Sequence, residues 1–298
     1  TRSSYQEVGG RLMPRSNILL GGQELKLDAD ADTSIQVSTD DVLVIDTAGS
    51  ERMRVDAGGD IGIGVPTESD HYSAYVNINF GLTGLVGSAA SGTNTTFLTN
   101  NAYLNTSPNW IYKEADEATK YNQVSGTHIW ETASSGSAGA TISFTEVMKI
   151  DANGQVTKPL QPAFSVTDSG PQSDYATNST VTIGFDTEVF DVNGDFASST
   201  FTAPVTGKYV LCGNITFSNL DQDADFTSVT IDTSNRNYTN IIDPEGFDKD
   251  LSYFSFTITV VADMDASDTA KMTFYQSGGA AVADLAVGQS YFSGYLLG

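Results

Sequence analysis

Two short stretches bring oxygen donors together along the chain. In DQDAD, Asp221, Asp223 and Asp225 fall on alternate residues, so an extended backbone sends all three carboxylates to one side. In DVNGD, Asp191, Asn193 and Asp195 crowd a single turn. Calcium takes several oxygen ligands of this kind. Asp221, Asp223 and Asp225 are therefore the metal-ligand candidates, with calcium as the implied ion. Neither stretch fits the twelve-residue calcium loop, and Asn193-Gly194 is accounted for as a hairpin turn. The competing reading, which the spacing favours, is plain solvated acidic surface. The LDADAD run at 27–32 is read the same way, as a solvent-facing stretch.

No catalytic residue is predicted. His71 and His128 are the two histidines and Cys212 is the single cysteine, so no thiolate metal site or disulfide within the chain can form. No nucleophile-elbow, phosphate-loop or dinucleotide pattern occurs. His128 lies in THIWET, a predicted strand, and reads as a structural or interface residue. Cys212 lies in KYVLCGNITF, an alternating stretch, and reads as a small core residue. Trp110 and Trp130 have two readings. One is a sugar-stacking platform; the other, preferred because large apolar residues are scarce around them, is the core of a small domain.

Charge narrows the partners. The chain of 298 residues holds 37 acidic and 14 basic residues, a net charge of -23. Phosphate binding needs clustered Lys and Arg, so nucleic acid is not expected as a partner. No run of apolar residues is long enough to span a bilayer, so membrane insertion is not expected either.

The elements that must position these residues are strands. Short runs of Val, Ile, Thr, Phe and Tyr alternate with polar residues and are broken by Gly, Asn, Asp and Ser, an all-β pattern. YKEADEATKY at 112–121 is the one stretch rich in helix formers; it lacks an apolar stripe and reads as a loop or single turn. Three regions are expected: 1–66, a thin N-terminal shaft or attachment region poor in aromatics; 67–160, a middle β module; and 161–298, an aromatic-rich sandwich. Near-identical segments, ERMRVDAGGDIGIG at 51–64 and EVMKIDANGQVTKP at 146–159, close the first two. Each reads as a hairpin around a Gly-containing turn. An isolated hairpin is marginal in water. The first region alone cannot bury a core, so its Met, Val and Ile faces are expected to pool between identical chains, as a homotrimer.

Two resemblances follow. GSERMRVDAGGDIGIG, and the region from Trp110 and Tyr112 through His128 and Trp130 to the second hairpin, resemble segments of bacteriophage tail-fibre and appendage proteins. FDVNGDFASSTFTAPVTGKYVLCGNITF at 190–217 resembles the signature of the C1q globular head, a jelly-roll relative of tumour necrosis factor. Its key run is Phe201-Thr202-Ala203-Pro204-Val205 with Gly207 and Tyr209. PAFSV at 162–166 fits that family's first strand and SYFSGYLLG its last. The acidic segment 221–249 departs from the pattern, and no residue there takes over the family's calcium role. The resemblance implies an all-β fold: a trimeric β shaft and small module, then a C1q/TNF-like jelly-roll head with an aromatic three-fold interface.

The implied function is a structural and adhesive homotrimeric fibre of a virion, its head binding a bacterial surface glycan or protein. Its N-terminus, Thr1–Gly22, would dock on another fibre or baseplate protein. One alternative is the repeating subunit of an extracellular filament, each N-terminal segment docking on the next subunit. A capsule-depolymerising spike enzyme fits least, for want of a site. The expected location is the virion or the extracellular space.

Overall fold

The computed structural model describes residues 5–8, 11–14, 24–39, 41–67, 69–92, 94–168, 170–280 and 282–298. The attachment role expected of Thr1–Gly22 falls largely outside these residues; within that span, Tyr5–Val8 pairs antiparallel with Arg11–Pro14. Two compact units form, Thr1–Lys158 and Pro159–Gly298. Among the described residues both are built from strands, with one 3-10 turn at Pro244–Gly246.

The first unit is built on a twelve-stranded sheet whose strands follow one another nearly in chain order, from Leu25–Lys26 to Val156–Thr157. Neighbours in sequence pair antiparallel, with one exception. Ile61–Ile63 runs parallel to Tyr75–Phe80, so the sheet passes without interruption through the expected division at 66/67. YKEADEATKY is not a loop throughout: Ala118–Val124 is a strand, between Thr95–Asn100 and Thr127–Ala133.

One face of this sheet is covered by the chain's own excursions. Ala102–Leu104 and Trp110–Tyr112 leave the sheet and pair with each other. Ala102, Tyr112, Ala118, Ala133 and Ile142 form a small core there, with Trp110 and Phe144 packed against it. Several polar side chains buried on this face are satisfied locally. Asp60 Oδ1 accepts the Asn77 N–H at 2.7 Å. Asn101, at φ 59°, accepts the Glu114 N–H and donates to the carbonyls of Glu114, Asp116 and Glu117, which shapes the 113–117 loop. Lys120 pairs with Glu131 at 2.9 Å and sits 4.7 Å from the Trp110 ring centre and 4.6 Å from that of Phe144. Its charge is held by an opposite charge and two ring faces.

The repeated segments fold alike. Met53 lies opposite Ile63 in the first hairpin, and Ile150 opposite Val156 in the second. The turn is not the two-residue Gly-Gly or Asn-Gly type. Asp56 and Asp151 each accept two backbone N–H groups through Oδ1, from Gly58 and Asp60 and from Asn153 and Gln155, all at 2.9 Å. Gly59 and Gly154 take φ of +86° and +83°. This is a three-residue loop that ends in a left-handed glycine, and the aspartate common to both copies holds it.

The second unit is a jelly-roll sandwich of two sheets. One orders Thr187–Asp191, Ala163–Thr167, Tyr291–Leu296, Gly207–Ser218 and Phe254–Met264, with Ala283–Leu285 and Gln172–Tyr175 continuing from the end of Gly207–Ser218. The other orders Phe196–Ala197, Thr200–Thr202, Thr269–Gly278, Ala224–Thr233 and Asn237–Ile242. The unit's first strand therefore lies beside its last. Alternation along Gly207–Ser218 sends Tyr209, Leu211, Ile215 and Phe217 inward. They meet Phe164, Phe201, Phe256, Phe274 and Phe292, all fully buried. Each such ring contributes about 1.5–3 kcal/mol by burial. Gly207 serves close approach rather than a turn: a Cβ there would come within 2.7 Å of Leu296.

Candidate binding surfaces

The acidic candidates take separate roles. Asp221 is buried; its Oδ1 accepts the Asp223 N–H at 2.9 Å and its Oδ2 the Ala280 N–H at 2.7 Å. Asp223 is exposed, and Asp225 accepts the Ser277 hydroxyl at 3.0 Å. Asp221 thus braces one loop against another. Among the described residues, the group of three carboxylates whose oxygens lie within 4.8 Å of one another is instead Asp28, Asp30 and Asp32, in the LDADAD run. Asp28 Oδ1 there accepts the N–H groups of Asp32 and Thr33, and its hydrogen bonds to Thr33 hold its carboxyl below the usual range. In DVNGD, Asn193 and Gly194 both take positive φ, as a turn of that sequence requires. The strands on either side of it pair with other partners, so it joins the two sheets and is not a hairpin. Asp191 accepts the N–H groups of Asp195 and Phe196, both at 3.0 Å.

Cys212 is not in the core. Leu211 and Gly213 face inward, so Cys212 faces outward, half-buried, and its sulfur accepts the Thr259 hydroxyl at 3.2 Å. The two tryptophans do not form a platform. Lys120 reaches Trp110 on the covered face, whereas the adjacent Tyr121 turns to the opposite face and packs, tilted, against Trp130, 5.0 Å between ring centres. His128 joins that second face; its Nδ1 lies 2.5 Å from the Tyr121 hydroxyl.

That face carries an apolar stripe across the whole sheet. In one register row Val37 lies opposite Leu43, Leu43 opposite Val55, and Val55 opposite Ile61. The row continues through Ile78, Val86 and Leu98. It ends in Tyr121, Trp130 and Met148. A second row runs Leu25, Ile35, Ile45, Met53, Ile63 and Phe80. Neither row contains a charged side chain, and none of these residues is buried. Ile78 is 39% exposed and Leu98 46%. Phe80 lies over Gly84, where a Cβ would meet the ring at 2.5 Å. Between Phe80, Leu98, Tyr121 and Trp130 the stripe opens into a groove of about 510 Å³. The Met, Val and Ile faces before residue 66 were legible as an unpaired apolar set. The extension through Leu98 to Met148 was not, although the same alternation marks it.

The sandwich carries a comparable face. Outside the sheet that holds Cys212, three register rows are free of charge. They are Ala163, Tyr295, Val210 and Val261; Ser165, Ser293, Cys212 and Thr259; and Thr167, Tyr291, Asn214 and Thr257. Tyr295 is 49% exposed and Val261 56%. A separate polar groove of about 650 Å³ is lined by Thr216, Ser255, Asp284, Gln289 and Tyr253 among others, and Tyr253 is 71% exposed.

No protein-family model matches the chain, and no curated protein matches it. Among solved structures, the globular domain of zebrafish complement 1qA protein is similar at 18% identity. That match covers 46% of this chain and 98% of that one, with a TM-score of 0.36. A crystal structure of murine APRIL is similar at 12% identity, over 46% of this chain and 99% of that one, with a TM-score of 0.35. The assignment of a jelly roll to Pro159–Gly298 rests on the strand order described above.

Proposed function

We propose that the protein is a structural and adhesive fibre component of a virion or the extracellular space, working as a homotrimer without catalysis. The observation that carries this is the uncharged outer face of the jelly-roll sheet. In a chain that is 17% charged, three consecutive register rows hold none. Depletion of charge with enrichment of tyrosine is the composition of an interface core. In this reading the sandwich is a head whose three copies meet through Tyr291, Tyr295 and Val261. The polar groove beside Tyr253 is then the surface offered to a bacterial glycan or protein. Three weak sites on one head bind together by effective concentration, with no new contact needed.

Light scattering tests the assembly. The full chain is expected at three times 31.6 kDa. Tyr295→Glu places a charge on the uncharged face and is expected to weaken that association at least tenfold. A wild-type chain that runs as a folded monomer at micromolar concentration refutes the reading.

A further inference from the structure

We infer that the apolar stripe on the uncovered face of the Thr1–Lys158 sheet is a second homotypic interface, buried against the same stripe of other copies of this chain. The sheet's other face is already filled by the chain's own Trp110, Tyr112, Ile142 and Phe144. Among the described residues the stripe has no such cover. Its longer row crosses ten strands spaced ~4.8 Å apart, a length on the order of 45 Å, and its second row crosses six. With ~6.6 Å of strand per outward residue, the stripe offers on the order of 500 Å² per chain. That is more than half of the ~800 Å² per partner of a standard stable interface.

Charge selects the occupant. The chain carries a net -23, so a partner recognised electrostatically would be met by carboxylates, and the stripe has none. Whatever covers it matches it in apolar character and in length. The same stripe on another copy does both. The narrowness of the stripe suits several walls meeting around an axis better than a broad two-sheet sandwich, whose inner faces interdigitate across their whole width. The number of copies, three, rests on the head reading above. The existence of the interface does not.

The test uses the full chain with Cys212→Ser, which removes the only cysteine. Leu98→Cys places a thiol on the stripe, Ile78→Cys places a second on the same row, and Ser137→Cys places a control on an exposed loop. Maleimide labelling is expected to be at least tenfold slower at Leu98→Cys and Ile78→Cys than at the control. A short bis-maleimide is expected to join chains at the stripe and not at the control. Adding Tyr295→Glu separates the two readings: slow labelling that persists there locates the protection in the sheet whatever happens to the head. Equal labelling rates overturn the inference. So does protection in a chain that runs as a monomer, or protection that appears only when phosphatidylcholine vesicles are added.

Discussion

At the scale of the residue, Asp195 is a carboxyl held away from its comfort. Burial pushes its carboxyl above the usual range, the neighbouring Asp191 adds to this, and a hydrogen bond with Asn193 opposes it. One of its oxygens, Oδ2, is buried with no hydrogen-bond partner. A carboxyl raised in the folded state favours folding while protonated, and loses that contribution as pH rises through its folded value. Asp195→Asn keeps the shape and removes the charge. Its melting temperature is therefore expected to exceed wild type at pH 7 and to converge on it below about pH 4, where the unfolded aspartate is itself protonated. A variant less stable than wild type at pH 7 would show that the charge is needed. Asp221 is the contrasting case. Its carboxylate is fully used by backbone N–H groups, the charge-assisted bonding that makes a buried acid tolerable.

At the scale of the element, the repeated turn depends on one glycine and one aspartate. Gly154 sits at φ +83°, where an L side chain costs about 1–2 kcal/mol. Gly154→Ala is expected to destabilise the Thr1–Lys158 unit by about that amount in chemical denaturation, and to leave the sandwich transition unmoved. The repeat itself was plain in the sequence, but its turn type was not. Asn-Gly suggests a two-residue turn, and the competing bond that the Gln155 N–H donates back to Asp151 Oδ1 decides otherwise. Cys212 was misplaced although its phase was legible: with Tyr209, Leu211, Ile215 and Phe217 of KYVLCGNITF facing inward, alternation turns Cys212 outward. The jelly roll was legible because its aromatics alternate in long strands. The unbroken sheet of the first unit was not, because the parallel pairing of Ile61–Ile63 with Tyr75–Phe80 comes from a return of the chain that has no periodic signature. The tryptophans were separated by the alternation of Lys120 and Tyr121, a relation visible only once their strand is known.

At the scale of the whole molecule, two uncharged faces sit in a strongly acidic chain. Bringing copies together concentrates negative charge while it buries apolar surface, so assembly sets the hydrophobic gain against repulsion. Raising sodium chloride from about 10 mM to 150 mM shortens the screening length from about 30 Å to about 8 Å. The assembled fraction and the melting temperature are both expected to rise across that range, with the melting temperature also rising with protein concentration. Light scattering and calorimetry at matched concentrations measure both. Indifference to salt would mean that the carboxylates stand too far apart in the assembly to matter.

The placement of the sandwich's first strand beside its last has a consequence for biosynthesis. Gln161 donates to the carbonyl of Leu296 at 2.5 Å across 135 residues of sequence, and Ala163–Thr167 pairs along Tyr291–Leu296. A ribosome adding about 5–20 residues per second leaves Phe164 without its partner Phe292 for about ten seconds. During that interval the opening strand can pair with Thr187–Asp191 on one side, but its other edge stays open. The sheet of the first unit is different: almost every strand pairs with the one just made, so it can form as it is translated. Nascent chains would therefore carry a finished sheet while the sandwich waits for its closing strand. Premature termination before Tyr291 would remove a central strand of the sandwich and leave the sheet complete.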